Sequence, residues 1–390
     1  MRIAVATDQW SPDVIGGSAR VARATAQQFA RLGHDVTVVS PRAGAGPGVE
    51  RDGGVELHRS IRRGRLPQTF TDVLETWRWA VRRSRPDVFV AHQSTTAVGL
   101  IAAHPSVPLV YVFHASAPLE QRFVRRRSRP LRRIPNLLLD PSLVLLEAIA
   151  IRRAAAITVL SEYSRDLLLA RHPSAVDRVL VVRGGVEFER FSSGDGPRAR
   201  QAYGVPNDLP FVLTVRRLEP RMGVEELLRA TQILIRSGVR LTVGVAGAGM
   251  TGRGLKDLSR KLGLEPHVRF FGRVPDEDLP GLYAAADVFV LPTVAYEGFG
   301  MSTIEALAAG TPVVGTSVGA TPEILRPLDR RLLAPSAQPQ ALAATIEQTL
   351  EGTSLEQRRR CADYAYSQFR WEEAIESWTA AVQKAAQKNT

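Results

Sequence analysis

Short apolar runs rich in β-branched residues alternate with helical patterns along this whole chain, and few folds accommodate that alternation. Runs bounded by Gly, Pro, Asn or Asp read as strands, and stretches with a 3.6-residue apolar period read as helices. Strand and helix in strict succession predict a parallel sheet covered by helices on both faces. The predicted strands fall into two series. The first occupies 3–6, 35–39, 55–59, 88–92, 109–114, 156–160 and 179–182, the second 211–215, 241–246, 268–271, 288–291, 312–315 and a short run at 331–333. Between them, 183–210 carries Gly, Ser, Asp and Pro and reads as a domain connection. The chain has 390 residues, more than one hydrophobic core usually organises. Two α/β domains are therefore expected, 1–187 and 188–370, followed by a helical stretch at 371–390 with Trp371 and Trp378 on or beside it.

Charge divides the chain at the same place. The net charge is +12, and residues up to Gly185 hold 27 Arg, no Lys and 15 acidic residues, so the remainder is balanced. A basic half suggests an anionic partner: nucleic acid, lipid head groups or a phosphorylated acceptor, set against a solvated Arg-rich face. The densest cluster, RFVRRRSRPLRR, begins at Arg122 and ends at Arg133. Aromatic residues make up only 6%, without the interleaved platform of single-strand binders, so no nucleic acid is expected. The single cysteine, Cys361, excludes an intrachain disulfide framework and fits a reducing compartment. No run reaches the roughly 18 apolar residues of a membrane span, and MRIAVATDQW lacks the apolar core of a signal peptide. The nearest candidate, 137–151, is interrupted by Asp140, Pro141 and Glu147. A cytoplasmic location is expected.

Residues 286–310, ADVFVLPTVAYEGFGMSTIEALAAG, concentrate the chemistry. A strand ends at Pro292, a loop with two glycines follows, and a helical pattern runs to Gly310. Glu297 falls in the loop, Gly298, Phe299, Gly300 and Met301 at the helix start, and Glu305 within the helix. Helix N-termini favour phosphate, glycine permits its approach, and carboxylates accept pairs of hydroxyls. That combination suits a sugar nucleotide, with one carboxylate on the sugar and the other on the ribose. The alternative is an ordinary strand-to-helix turn with Glu297 solvated.

Glu297 and Glu305 around Gly-Phe-Gly-Met, followed by AAGTPVV and GATPEIL, resemble the second half of retaining GT-B glycosyltransferases of glycosyltransferase family 4. The chain departs where Gly319-Ala320 replaces Gly-Gly before Glu323. The resemblance implies the GT-B fold, two Rossmann-like domains facing a deep cleft. It implies an N-terminal acceptor domain, onto which the last helix packs back through Trp371 and Trp378, and a C-terminal donor domain. It also implies sugar transfer from a UDP- or GDP-linked donor to an acceptor hydroxyl with retention, in a bacterial enzyme.

Residue by residue, the resemblance puts Gly16 and Gly17 near the donor diphosphate and His114, in VPLVYVFHAS, near the transferred sugar, with His92 a second strand-end histidine. Gly247, in Gly-Ala-Gly, falls beside the nucleotide, and Val274 beside the base. In TVRRLEPRMG, Arg217 and Arg221 are the expected diphosphate cations, Arg221 standing for the family's usual Lys. Arg216, their neighbour, is expected to point away, because adjacent strand residues face opposite sides. Asp276-Glu277-Asp278 matches the Asp-x-Asp of metal-using glycosyltransferases, but it follows Pro275 and opens a helix, where acidic residues serve as caps. No metal and no cofactor beyond the substrate nucleotide are therefore expected. The acceptor is left as a small molecule or a lipid-linked one. In the latter case 122–133 is the candidate surface for peripheral contact with an anionic membrane, at the inner face of the plasma membrane. A sugar-nucleotide epimerase or hydrolase of the same fold, or a basic non-enzymatic membrane or nucleic-acid binding protein, are the alternatives.

Overall fold

The computed structural model describes residues 1–11, 13, 16–42, 48–61, 77–78, 81–127 and 139–387. They form two compact units, one of Met1–Arg183 with Trp371–Thr390, the other of Gly184–Arg370.

The first unit is built on an eight-stranded sheet. Its strands are β1 Arg2–Ala6, β2 Asp35–Arg42, β3 Gly48–Asp52, β4 Val55–Ile61, β5 Val88–Ala91, β6 Leu109–Phe113, β7 Ala156–Val159 and β8 Val179–Val181. The order is β3-β4-β2-β1-β5-β6-β7-β8, with only β3 antiparallel to its neighbour. Strands β5, β6 and β7 are buried along their whole length, the burial expected of strands covered on both faces. Helix Gly17–Arg31 buries Ala22, Ala26 and Phe29 on one stripe, at the spacing that faces a sheet. The last helix, Trp371–Gln387, packs on Gly17–Arg31 and on β5, β6 and β7, burying Trp371 and Trp378. The Trp378 indole donates to the Arg183 carbonyl at 3.3 Å, satisfying the one polar atom of a fully buried ring.

Strand β3 has no counterpart among the predicted strands. It is exposed and lies at the sheet edge, so no buried face imposed an apolar pattern on its sequence. Its partner β4 is reached through Gly53-Gly54, a two-residue turn in which both φ values are positive, 57° and 88°. Such a Gly-Gly turn is a hairpin signal that apolar periodicity cannot register.

The second unit holds six parallel strands: β9 Phe211–Val215, β10 Thr242–Ala246, β11 Val268–Gly272, β12 Val288–Leu291, β13 Val313–Thr316 and β14 Leu333–Ala334. The order is β11-β10-β9-β12-β13-β14. The direction of winding reverses between β9 and β12, and parallel sheets of this kind bind ligands beyond the carboxyl ends of the strands at such a point. Val212, Val243, Val288, Val290 and Val314 join Leu227, Leu228 and Leu234 of helix Val224–Arg236 in the core. Each fully buried Leu or Val contributes about 1.5–3 kcal/mol by leaving water.

Candidate functional site

At the carboxyl end of β12 the chain turns at Pro292 into a loop and enters helix Met301–Ala308 through Gly300, whose φ is 90°. Glu297 lies in this loop, and it is not solvated. Its Oε2 accepts from Arg216 Nη2 at 2.9 Å and from Thr293 Oγ1 at 2.7 Å. Arg216 Nη1 in turn donates to Thr293 Oγ1 at 2.9 Å, closing a ring of three residues. The Arg216 side chain is 6% exposed and that of Glu297 13%. Burial pushes the Glu297 carboxyl up, but the charges of Arg216 and Arg221 and the hydrogen bonds from Thr293 and Arg216 outweigh it, so its pKa lies below the usual value. Burial lowers the Arg216 pKa and Glu297 partly restores it, and a guanidinium remains charged throughout the physiological range.

The expectation that Arg216 turns away is thus overturned. Strand β9 ends at Val215, so the alternation of faces stops one residue before Arg216, and the side chain follows the buried acceptors. Arg217 is the exposed one of the pair. Arg221 is 8% exposed, and its Nη1 donates to the Tyr296 carbonyl at 3.0 Å while its own carbonyl accepts from Val294 N at 2.9 Å. Arg221 therefore clamps the Glu297 loop from both ends. The clamp holds Tyr296 at a φ of 57°, a left-handed conformation uncommon outside glycine. The residue directly before Gly223 is Met222 rather than Arg221, and its sulfur lies 2.9 Å from Arg216 Nη2. No local pattern announces this arrangement, because its members are scattered over residues 216–297.

Glu305 is 2% exposed, and its Oε2 accepts from the Tyr283 hydroxyl at 2.8 Å. Phe299 and Met301 are buried, Gly298 is half-buried, and Gly184 packs against Met301 and Phe299. Gly247 has a φ of 135°, and a Cβ there would sit 1.9 Å from the Arg216 carbonyl oxygen. Glycine at this position is accounted for by one chain crossing another. Val274 is buried just beyond β11. At the Gly319-Ala320 departure, Gly319 has a φ of 62° and faces the Glu297 backbone, whereas Ala320 has a φ of −81°. The alanine falls where the backbone does not call for glycine, which is why the change is a small one.

In the first unit, Gly16 precedes helix Gly17–Arg31 in extended backbone, and the nearest atom to a Cβ there would be Gln9 Oε1 at 3.7 Å. No described neighbour demands glycine at that position. His114 directly follows β6, and its Nε2 lies 3.0 Å from His92 Nδ1 with the rings stacked 5.2 Å apart. Burial brings His114 down to about 4 and His92 well below its ordinary value, the latter with a further contribution from His114. Both rings are neutral near pH 7, so one donates and the other accepts, and His114 can offer only Nδ1 to a ligand. Two residues on, Ser116 Oγ donates to buried Glu147 Oε1 at 3.1 Å, a contact hidden in a stretch that reads as a plain helix.

Asp276–Asp278 form a single 3-10 turn before helix Leu279–Ala285. Asp276 pairs with Arg190 at 2.7 Å and Asp278 accepts from the Tyr203 hydroxyl at 2.6 Å, so the triplet serves packing rather than side-chain capping. Of the Arg-rich segment, helix Ala117–Arg127 holds the first part, and residues 128–133 lie outside the described residues.

Residues 15–190 match the family described as Glycosyltransferase Family 4, and residues 195–368 that described as Glycosyl transferases group 1. An uncharacterized glycosyltransferase of Methanocaldococcus jannaschii is 30% identical over 84% of this chain and 83% of its own. The D-inositol 3-phosphate glycosyltransferase of Streptomyces scabiei is 32% identical over 74% of this chain, and the match spans 65% of that relative's length. Among solved structures, Anabaena Alr3699/HepE in complex with UDP and glucose superposes with a TM-score of 0.74 at 20% identity, covering 98% of this chain and 99% of that one. Two sheet units, each matched by its own half of the family signature, together with a relative aligned along most of both chains, make this chain a member of the family 4, group 1 glycosyltransferases with the GT-B fold.

Proposed function

We propose that this glycosyltransferase moves a sugar from a nucleotide diphosphate donor, UDP- or GDP-linked, to an acceptor hydroxyl, with retention at the anomeric carbon and without a metal. The observation that carries the reading is the half-buried Glu297 carboxylate, held just before a glycine-opened helix on which buried Glu305 follows. Glu297 would receive hydroxyls of the donor sugar through the oxygen that Arg216 and Thr293 leave uncommitted, and Glu305 those of the ribose.

As the bond from the anomeric carbon to the phosphate oxygen breaks, negative charge develops on the diphosphate. Exposed Arg217, the charge of Arg221 and the helix dipole at Gly298, Phe299, Gly300 and Met301 are assigned to stabilise it. The acceptor oxygen would form its bond on the same face while its proton passes to the departing phosphate oxygen. His114, neutral and limited to Nδ1, is assigned to the transferred sugar. Gly16 and Gly17 would admit the diphosphate, and the lack among the described residues of a steric reason for Gly16 supports that role. Gly247 and Val274 are assigned to the nucleotide side.

The acceptor is proposed to be anionic, a phosphorylated small molecule or a lipid-linked one. The basic first half and the Streptomyces relative, named for D-inositol 3-phosphate, support this class. Among the described residues no helix is long and apolar enough to cross a membrane. A cytoplasmic enzyme that touches an anionic membrane through 122–133 is the corresponding proposal for location.

The test is a thermal-shift panel of nucleoside diphosphates and sugar nucleotides in chelator, on wild type and Glu305→Gln. A ligand at a hundred times its Kd stabilises by about 2.7 kcal/mol. One nucleotide class should stabilise the wild type and lose most of its effect in the variant. Absence of any shift would refute the donor site, and donor consumption that does not depend on acceptor would favour the epimerase or hydrolase.

A further inference from the structure

The ring formed by Arg216, Thr293 and Glu297 leaves the carboxylate lopsided. A carboxylate oxygen has two lone-pair sites, and both on Oε2 are taken. Among the described residues nothing donates to Oε1, and that atom is not among the buried polar atoms left without a partner. Glu297 therefore presents one oxygen outward and keeps the other turned into its own unit. Position 216 has no role assigned by the family resemblance, and the sequence alone directs it away from the site.

We propose that Arg216 is a positioning residue that, with Thr293, commits Glu297 Oε2 and offers Oε1 alone to a single hydroxyl of the donor sugar. This inference rests on the donor-sugar role given to Glu297 above. Donors would then be chosen by one hydroxyl rather than by the adjacent pair that an unencumbered carboxylate grips. The same geometry gives the guanidinium a second duty. Arg216, with Arg221 and Thr293 contributing beside it, offsets the burial of Glu297 and holds its charge, so sugar recognition becomes insensitive to acid. Arg216 Nε is itself buried without a partner, a cost that the hydrogen bonds of its two terminal nitrogens offset. Met222, whose sulfur touches Nη2, fills the remaining side without competing for the carboxylate.

The experiment compares the affinity of a UDP-hexose and a GDP-hexose with that of the bare diphosphates, from about pH 8 down to about pH 5, for wild type, Arg216→Lys, Arg216→Met and Thr293→Val. The terminal phosphate of the bare diphosphate titrates at about pH 6 and the doubly esterified diphosphate of the sugar nucleotide does not, so each ratio of sugar-nucleotide to diphosphate affinity is read relative to wild type at the same pH. In Arg216→Met, burial is less opposed and the carboxyl moves up, so this relative ratio should fall as pH falls, by up to about tenfold per pH unit below the new pKa. Diphosphate affinity should stay within about twofold of wild type at every pH, since Glu297 is not assigned to the phosphates. Arg216→Lys should restore much of the wild-type profile through its charge, and Thr293→Val should show a weaker form of the acid loss. On wild type, a donor series lacking one hydroxyl at a time should show a single position that matters most.

A uniform loss at all pH values, or equal losses of diphosphate and sugar nucleotide, would overturn the proposal while leaving the donor site intact. Two adjacent hydroxyls contributing equally would also overturn it. No binding of any nucleotide to wild type would refute the donor site itself and the proposal with it. If Arg216→Met does not fold, Arg216→Lys and Thr293→Val decide, because each keeps a polar or isosteric group in the ring.

Discussion

Gly319 gives the most direct test of how tightly the Glu297 loop is specified. A Cβ at this position would lie 2.3 Å from the Glu297 carbonyl oxygen and 2.8 Å from both its N and its Cβ. Ordinary contact begins near 3.4 Å, so Gly319→Ala demands that one backbone segment retreat by about 1 Å. The φ of 62° adds roughly 1–2 kcal/mol for placing a side chain in left-handed backbone. Overpacking against backbone adds about 1–3 kcal/mol. Together these give a loss of about 2–5 kcal/mol. In a unit spanning Gly184–Arg370, each kcal/mol lowers Tm by roughly 2–4 °C, so the transition of this unit should fall by about 4–20 °C. Calorimetry reads it, with Ala320→Gly as the control, since Ala320 sits at a φ of −81° and its change should cost about 1–2 kcal/mol, from a buried methyl lost and a freer unfolded backbone. The displaced loop should also weaken sugar-nucleotide binding in Gly319→Ala and not in Ala320→Gly. A Gly319→Ala variant that melts and binds like the wild type would refute the reasoning.

Three further outcomes follow from the geometry. Because the folded pKa of His114 is lowered to about 4, stability should be full above the unfolded value of about 6.5 and be lost as pH falls from there to about 4, by up to roughly 3 kcal/mol; His114→Asn should flatten that slope in pH-dependent denaturation. Trp378→Ala empties a fully buried site in the first unit and should cost about 3–5 kcal/mol, with Trp378→Phe well below that, read by the same melts. Tyr283→Phe removes the hydroxyl that donates to Glu305 and should cost about 1–3 kcal/mol while changing nucleotide affinity more than bare sugar affinity, measured by calorimetric titration.

The alternation of strands and helices was legible because a parallel sheet buries both faces of each strand, and continuous apolar runs such as Val288–Leu291 can then be seen without any partner. The carboxylates Glu297 and Glu305 were legible for a different reason: strand, loop and helix are contiguous in sequence. What could not be read was every contact made across sequence distance. Arg216 and Glu297 are 81 residues apart and His92 and His114 are 22, and nothing in either local pattern points to the other. The misdirected Arg216 illustrates the limit, since the rule of alternating faces was sound but β9 ended one residue too early for it to apply. The exposed edge strand β3 escaped for the complementary reason that its side chains face solvent on the outer edge and carry no apolar period.

Helix Trp371–Gln387 has a consequence for how the molecule comes into being. The first unit is assembled from two separated pieces of chain, with the whole of Gly184–Arg370 inserted between them. A ribosome finishes the eight strands of the first sheet long before it makes the helix that covers β5, β6 and β7. Until then an apolar face that will bury Trp371 and Trp378 has no cover, while the inserted unit has everything it needs to fold as soon as it emerges. The domain encoded first is therefore the one completed last, and the nascent protein carries an adhesive sheet from the end of β8 until the last helix is made.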